Sequence, residues 1–421
     1  MIKVEWPAPG SQHYTGRIPF AGQESGEAPN LNNSHWFAEV NANKSSITLN
    51  TGTPAGRELL KQLLEVSDVL IENYRSGVLT RWGLGYEAIA QINPNIIYVS
   101  MSSMGHVGRD NTYSGMGPSH QALSGQTFLS GLPDAPPAGW GWSYMDDTGG
   151  MYGAMCVLAA LHHRNRTGKG QHVDLAQVAV GVMCTGAAVL DNTVNHRPAR
   201  RPGYPPGNRA HWPGTPLLNN YRGPTVAPHN SYRTAGGGYN DWCVIVCSND
   251  DEWQKLVTVM GDPIWAKDAM FGTVLGRLEN QEEMDRNIEG WTVTLDKYDL
   301  SSRCQEAGVR AMPVQSAADR VERDPQLEER GNFITLDHPV MGPKVYQNPP
   351  IRASESLTTS WSPGPLIGQD NREIYCGLLG LSEEELRERY VDGTLWPKDL
   401  PSEAYSYLPE LAEVNDARQE R

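Results

Sequence analysis

Apolar and polar positions change period several times over the first hundred residues. Ser46-Ile-Thr-Leu49 alternates like a strand, at the end of a stretch over 39–50. Asp68-Val-Leu-Ile-Glu-Asn-Tyr74 and Asn95-Ile-Ile-Tyr-Val-Ser-Met101 are short apolar runs of strand length. Leu59, Leu60, Leu63 and Leu64 recur at the spacing of one helix face within 51–65, and a further helix is predicted from 87. Strand, helix, strand, helix, strand at these intervals predicts an α/β fold with a parallel, doubly wound sheet. Ligands of such sheets bind beyond the carboxyl ends of the strands, which makes the loops at 73–77 and 103–106 candidate ligand loops. Ile2-Lys-Val-Glu5 reads as the end of a strand, and the rest of 1–36 as extended segment and loops.

The next stretch has a different character. Trp140-Gly-Trp-Ser-Tyr-Met-Asp-Asp-Thr-Gly-Gly-Met151 reads as an aromatic loop that runs into an apolar helix from Tyr152 to Arg164. A basic turn at 164–171 follows, then a strand and helix over 173–184. Its Gly-Lys lacks the glycine spacing of a phosphate-binding loop. Asp146 and Asp147 stand where loop becomes helix. The positive helix end and its free N–H groups favour an ionised carboxylate, the form a nucleophile needs. Simple helix capping accounts for the same position. Gly149 and Gly150 leave room for another molecule to approach the backbone.

Periodicity is lost after about Arg197. This divides the chain into a large domain over 1–196, a Pro/Gly-rich connector over 197–231, a smaller α+β domain over 232–320, and a return over 321–421. The return comprises extended segments, a polar helix at 382–390 and a tail after 396.

Composition narrows the classes. The formal net charge of -14 over 421 residues argues against a general nucleic-acid binder. No run is long and apolar enough for a membrane span, and the N-terminus lacks signal-peptide architecture, so a cytoplasmic protein is expected. Of the six cysteines, only Cys243 and Cys247 are close, inside an apolar strand. No partner pair completes a metal pattern, so no metal is expected and the thiols read as small core residues.

Several local signatures coincide: Ile2-Lys-Val-Glu5 with Pro7, Asn41-Ala-Asn-Lys-Ser-Ser-Ile-Thr-Leu49, and Asp68 through Arg75 and Arg81 to Gly85. Asn93-Pro-Asn-Ile-Ile-Tyr-Val-Ser100, Gln121-Ala-Leu-Ser-Gly125 and Leu158-Ala-Ala-Leu-His-His-Arg-Asn-Arg-Thr-Gly-Lys-Gly-Gln171 complete the set. Together they resemble the class III CoA-transferase family, which includes formyl-CoA and carnitine CoA-transferases and the α-methylacyl-CoA racemases. The resemblance implies a Rossmann-like large domain, a smaller α+β domain, and two chains threaded as interlocked rings. The 197–231 stretch is most similar to the aryl-succinate (benzylsuccinate-like) branch.

The same resemblance implies chemistry. Asp146 matches the family nucleophile, leaving Asp147 as cap or supporting acceptor. A coenzyme A thioester is the substrate, with no tightly bound cofactor. CoA moves to a carboxylic acid through an aspartyl mixed anhydride and an aspartyl-CoA thioester. Arg75, Arg81 and Lys44 match positions near the CoA phosphates, and Asn73 and Tyr74 lie where adenine or pantetheine rests. The backbone at Gly149 and Gly150 is a candidate source of N–H donors for developing oxyanions. Gly236-Gly-Gly238 is similar to a glycine loop that closes over the active site, and a plain hairpin turn fits it equally. Trp140, Trp142 and Tyr144 suit either an aromatic-lined acyl pocket or domain packing.

Departures from the family pattern are specific. Met116 stands where the racemases place a histidine base, with His120 in another register, which argues against racemisation. Gly117 replaces a carboxylate common in the transferases. Family chains carry a strand, loop and helix ahead of the segment matching Ile2. Either a homodimer mate or a related subunit of a heteromer is therefore expected to complete the site, and a non-catalytic half-site subunit is the alternative to an active enzyme.

Overall fold

A computed structural model describes residues 1–6, 31–130, 137, 139, 141–196, 226–356 and 361–396. Trp140, most of the connector expected over 197–231, and the tail after 396 lie outside the described residues. The order is β1 (Ile2–Glu5), α1 (His35–Val40), β2 (Ser45–Thr48), α2 (Pro54–Glu65), β3 (Val69–Glu72), α3 (Val78–Arg81), α4 (Tyr86–Ile92) and β4 (Ile97–Ser100). Then come α5 (Gly117–Leu123), α6 (Gln126–Leu129), α7 (Tyr144–Thr167), β5 (Gln171–Asp174), α8 (Gln177–Cys184) and α9 (Gly186–Asn195). The later strands are β6 (His229–Arg233), β7 (Trp242–Val246), β8 (Arg310–Pro313), β9 (Phe333–His338) and β10 (Gly342–Gln347). Mixed helix and sheet is thus the fold class. The short helix α1 is an element that the pattern of 1–36 did not suggest.

The chain divides into two compact units. One comprises Met1–Leu70, Leu79–Ile96 and Arg320–Arg421; the other comprises Ile71–Val78 and Ile97–Asp319. In the first unit, β1 and β2 pair in parallel, Ile2 opposite Ser45. The far edge of β2 is closed by side chains. Ser46 N–H donates to Asp370 Oδ2 at 2.6 Å, and Thr48 N–H to Asn371 Oδ1 at 2.8 Å. Asn371 is fully buried and also donates to Thr48 Oγ1 and Tyr390 Oη, both at 2.9 Å. This explains why β1 and β2 stand as their own sheet where one continuous sheet was expected: the donors that would recruit a next strand are already taken. Ile47, Leu49, Leu59, Leu63, Tyr375, Leu386 and Tyr390 form the core here. The polar helix expected at 382–390 is present over Glu383–Val391, capped by Ser382 with Glu385 in a reciprocal capping box.

A second sheet has the order β3-β4-β5, with β4 and β5 parallel and Ile97 opposite Gln171. A separate antiparallel sheet β6-β7-β8 packs on a core that includes Trp253, Phe271, Met284, Ile288 and Leu300. Cys243, Cys247 and Cys304 belong to that core, and burial pushes their thiols up to about 12. Among the described residues no single helix is long and apolar enough to cross a membrane.

The largest difference from the sequence expectation is the start of α7. The helix begins at Tyr144, not Tyr152, so Asp146, Asp147, Gly149 and Gly150 are all helical. Glycine inside a helix costs about 1 kcal/mol relative to alanine, and close packing accounts for Gly149 and for Gly153 further along α7. A methyl group at Gly153 would lie 2.6 Å from Met101 Sδ, and one at Gly149 would lie 3.3 Å from Gln177 Cγ.

Candidate active site

Ser143 holds the N-cap position of α7 in a non-helical conformation, which places Asp146 and Asp147 in the first turn. Neither is the cap itself, correcting that reading for both residues. Asp147 Oδ2 instead accepts a hydrogen bond from Trp142 Nε1 at 2.8 Å. Gln121 Nε2 donates to Trp142 O at 2.9 Å. Trp142 and Tyr144 stay exposed, at 51% and 42%.

Asp146 is open to solvent on one side, as a group that must meet substrate has to be. The protein behind it nevertheless raises its pKa above the ordinary carboxylate value. Desolvation is the main cause; the charge of His120 lowers it, Asp147 raises it, and hydrogen bonds from the Ser143 hydroxyl and the Gly117 N–H lower it. The helix start does not by itself dominate the carboxyl, contrary to the expectation from dipole and free N–H groups alone.

Gly117 explains the fit. A methyl there would lie 2.6 Å from Ser143 Cβ and 2.8 Å from Asp146 Oδ2. The carboxylate side chain that transferases commonly carry at this position therefore has no room beside Asp146 in this chain. Met116 precedes α5 as its N-cap.

Gly149 and Gly150 lie in the second turn of α7, where N–H groups bond to carbonyls four residues earlier. They are not the loop donors expected. Donors without an intrahelical partner belong to the first turn of a helix, and there the Asp146 N–H already donates to Ser143 O at 2.8 Å.

A second polar cluster gathers beyond the carboxyl ends of β3 and β5. Glu72 is buried, its pKa raised by desolvation against the opposing effects of Ser100, the Tyr74 N–H and His106. Tyr74 N–H donates to Glu72 Oε2 at 2.8 Å, and His106 Nε2 lies 3.7 Å from Glu72 Oε1. His106 N–H bonds both oxygens of Asp174, at 3.0 and 2.9 Å. The two candidate ligand loops are thus joined through Glu72 and His106. Nothing in the local sequence pattern singles out Glu72, His106 and Asp174 as a group, since their meeting depends on adjacent parallel strands. Asn73, Tyr74 and Arg75 follow Glu72 and are exposed.

Of the remaining candidates, Lys44 and Arg81 belong to the first unit, and Gly236, Gly237 and Gly238 to the second. Arg81 is exposed at the end of α3. Lys44 is half-buried, and its ammonium donates to Val40 O at 2.8 Å and Asn41 Oδ1 at 3.2 Å, finishing α1. Burial lowers its pKa, Lys3 adds to that, and Glu5 opposes it. Gly236, Gly237 and Gly238 form the turn between β6 and β7, the reading that was left open beside a lid. Gly236 and Gly237 take φ of +107° and +72°, and Gly238 N–H donates to Asp241 Oδ2 at 2.7 Å. Among the described residues no group of three or more His, Cys, Asp and Glu is placed to hold a metal ion.

Residues 1–371 match the family described as CoA-transferase family III. Succinyl-CoA–D-citramalate CoA-transferase of Chloroflexus aurantiacus is 33% identical over 389 residues, covering 92% of this chain and 89% of that protein. Formyl-CoA:oxalate CoA-transferase of Streptomyces coelicolor is 33% identical over 355 residues, 84% of each chain. The crystal structure of a CAIB/BAIF family protein from Brucella suis superposes with a TM-score of 0.75 at 30% identity, over 90% of this chain and 91% of that one.

Proposed function

The chain belongs to CoA-transferase family III, and from that premise we propose that Asp146 is the nucleophile of a double displacement. The single observation that carries this is the position of Asp146: in the first turn of α7, solvent-accessible, with Ser143 and the Gly117 backbone fixing its orientation.

The reaction runs in four exchanges. The Asp146 carboxylate attacks the donor thioester carbonyl, forming an acyl–aspartyl anhydride and releasing CoA thiolate. The thiolate attacks the aspartyl carbonyl, giving an aspartyl-CoA thioester and expelling the donor acid. The acceptor carboxylate attacks that thioester, forming a second anhydride and again freeing thiolate. The thiolate then takes the acceptor acyl group, and Asp146 returns as a carboxylate. Every intermediate is an activated acyl derivative of similar energy, so no external energy source enters. The developing oxyanions need N–H donors, and backbone near the start of α7 is the candidate source.

Asn73, Tyr74 and Arg75 are assigned to the nucleotide end of CoA. Arg81 and Lys44 are assigned to phosphate contacts on the resemblance, Lys44 needing first to release the α1 carbonyl. Trp142, held by Asp147 and Gln121, supports a bulky or aromatic acid as one substrate, and the names of the relatives point to dicarboxylates such as succinate as the other. Met116 carries no titratable group, which supports transfer over racemisation. The Rossmann-like large domain and interlocked dimer are retained as part of this proposal. A helix that is apolar all round is normally covered all round, and α7 leaves Met151, Met155 and Leu158 exposed in the single chain.

The test is trapping. Hydroxylamine added with a panel of acyl-CoAs is expected to yield a hydroxamate on the peptide containing Asp146. Asp146→Asn is expected to lose both trapping and transfer; full activity in that variant would contradict the proposal.

A further inference from the structure

His120 is nearly fully buried, at 3% exposure, yet neither ring nitrogen makes a well-formed hydrogen bond. A buried imidazole is ordinarily well paired, and burying its polar atoms without strong partners is costly. The ring is held in place by shape. A methyl at Gly115 would lie 2.6 Å from His120 Nε2, so glycine is what admits the ring there.

Its neighbours define what it faces. Gly117 and His120 are three residues apart on α5 and share a helix face. Asp146 Oδ2 lies against that face at Gly117, and the charges of His120 and Asp146 act on each other. From α8, Gln177 packs on Gly149 and donates through Nε2 to Met101 O at 3.3 Å. The Gln177 side chain is also a weak hydrogen-bonding neighbour of the ring and favours its protonated form, against the effect of burial. The titratable groups facing this corner are therefore Asp146 and, one residue on, Asp147.

We propose that His120 is a positioning residue for Asp146: on acidification the imidazole takes the first proton and, as a cation behind the carboxylate, keeps the nucleophile ionised. This rests on Asp146 being the nucleophile. Desolvation lowers the affinity of His120 for a proton while the Asp146 charge raises it, so a proton taken by one group alters the hold of the other. In one protonation state the pair is imidazolium and carboxylate, which is competent; in the alternative it is neutral imidazole and carboxylic acid, which is not. Removing the imidazole leaves only the second route for a proton.

The experiment measures the rate of hydroxylamine-trapped adduct formation with succinyl-CoA across acidic to neutral pH, in wild type and His120→Gln. The acid limb in the variant is expected to move up by roughly half a pH unit or more, about a three-fold loss of rate on the limb. A lowered plateau with the limb unmoved would mean a purely structural role and overturn the inference. Because His120→Gln could fail to fold, a second measurement follows the His120 imidazole by NMR in wild type and Asp146→Asn. Its pKa is expected to fall in Asp146→Asn, where the carboxylate charge is gone, and an unchanged pKa would overturn the pairing. Absence of any adduct in wild type at every pH would instead reject the nucleophile, while the NMR comparison still reports on the pair.

Discussion

Asp146 and Asp319 are carboxylates in opposite circumstances. Asp319 sits in the region of β6–β8, where its Oδ2 receives Lys297 Nζ at 2.8 Å, Ser316 N–H at 2.9 Å, and the Asn240 side chain. Lys297 is itself buried and also donates to Asn240 O and Val314 O at 3.1 and 3.0 Å. The Lys297 ammonium, with the Ser316 N–H next, holds the Asp319 carboxyl well below the usual range. At Asp146 the surroundings are incompletely matched. Desolvation raises its pKa, Asp147 adds repulsion, and the histidine behind it makes no well-formed hydrogen bond. A carboxylate whose acceptor sites are filled stabilises the fold. One left partly unsatisfied beside a solvent-facing opening is available for chemistry.

The strongest way to break this comparison is to neutralise each carboxylate in turn. Asp146→Asn is expected to lower kcat/KM about a thousand-fold or more, while denaturant unfolding shifts by no more than about 0.5 kcal/mol. Asp319→Asn should show the reverse, a loss of about 3 kcal/mol in stability because the buried Lys297 charge is left uncompensated, with activity retained at temperatures where the variant stays folded. Matching effects from both variants would erase the distinction.

Acid titration sharpens it further, because the two groups respond with opposite sign. Asp146 has its pKa raised in the folded state, so transfer is lost as pH falls through a value above the ordinary carboxylate range. Protonation there relieves a local cost and does not unfold the chain. Asp319 has its folded pKa depressed. The stability it contributes is complete above the unfolded carboxylate pKa of about 3.9 and disappears as pH falls through the folded value. Activity measured beside circular dichroism is expected to fall first, with structure lost only at lower pH. Simultaneous loss would contradict this order.

Asp147→Asn is expected to have the smallest effect. The repulsion on Asp146 disappears, so the acid limb of kcat/KM should move to lower pH by less than one unit. The asparagine carbonyl can still accept from Trp142 Nε1, so the plateau rate should change little. A limb displaced to higher pH would mean that Asp147 acts on Asp146 other than by charge.

Much of this was legible in residue order. The apolar periods located α2, β3, α4 and β4 because those elements bury one regular face or run. The signatures around Asp146 suggested, by resemblance, the role proposed for it. The start of α7 was missed because Trp142, Gly149 and Gly150 have the composition of a loop. Gly149 instead serves close approach to Gln177 of α8, which composition does not encode. His120 stood beside a recognised signature, but its link to Asp146 exists only once α5 packs on α7. The closure of β2 by Asp370 and Asn371 spans more than 300 residues of chain, beyond the reach of local patterning.

The most direct test of Asp146 as covalent carrier follows oxygen. Acceptor acid labelled with 18O in both carboxyl positions is supplied with unlabelled acyl-CoA in unlabelled water over several turnovers. Passage through Asp146 is expected to leave label on the peptide containing Asp146 and to return one labelled oxygen in the released donor acid from the second turnover onward. Transfer that leaves the Asp146 peptide and the donor acid free of label would contradict the double displacement.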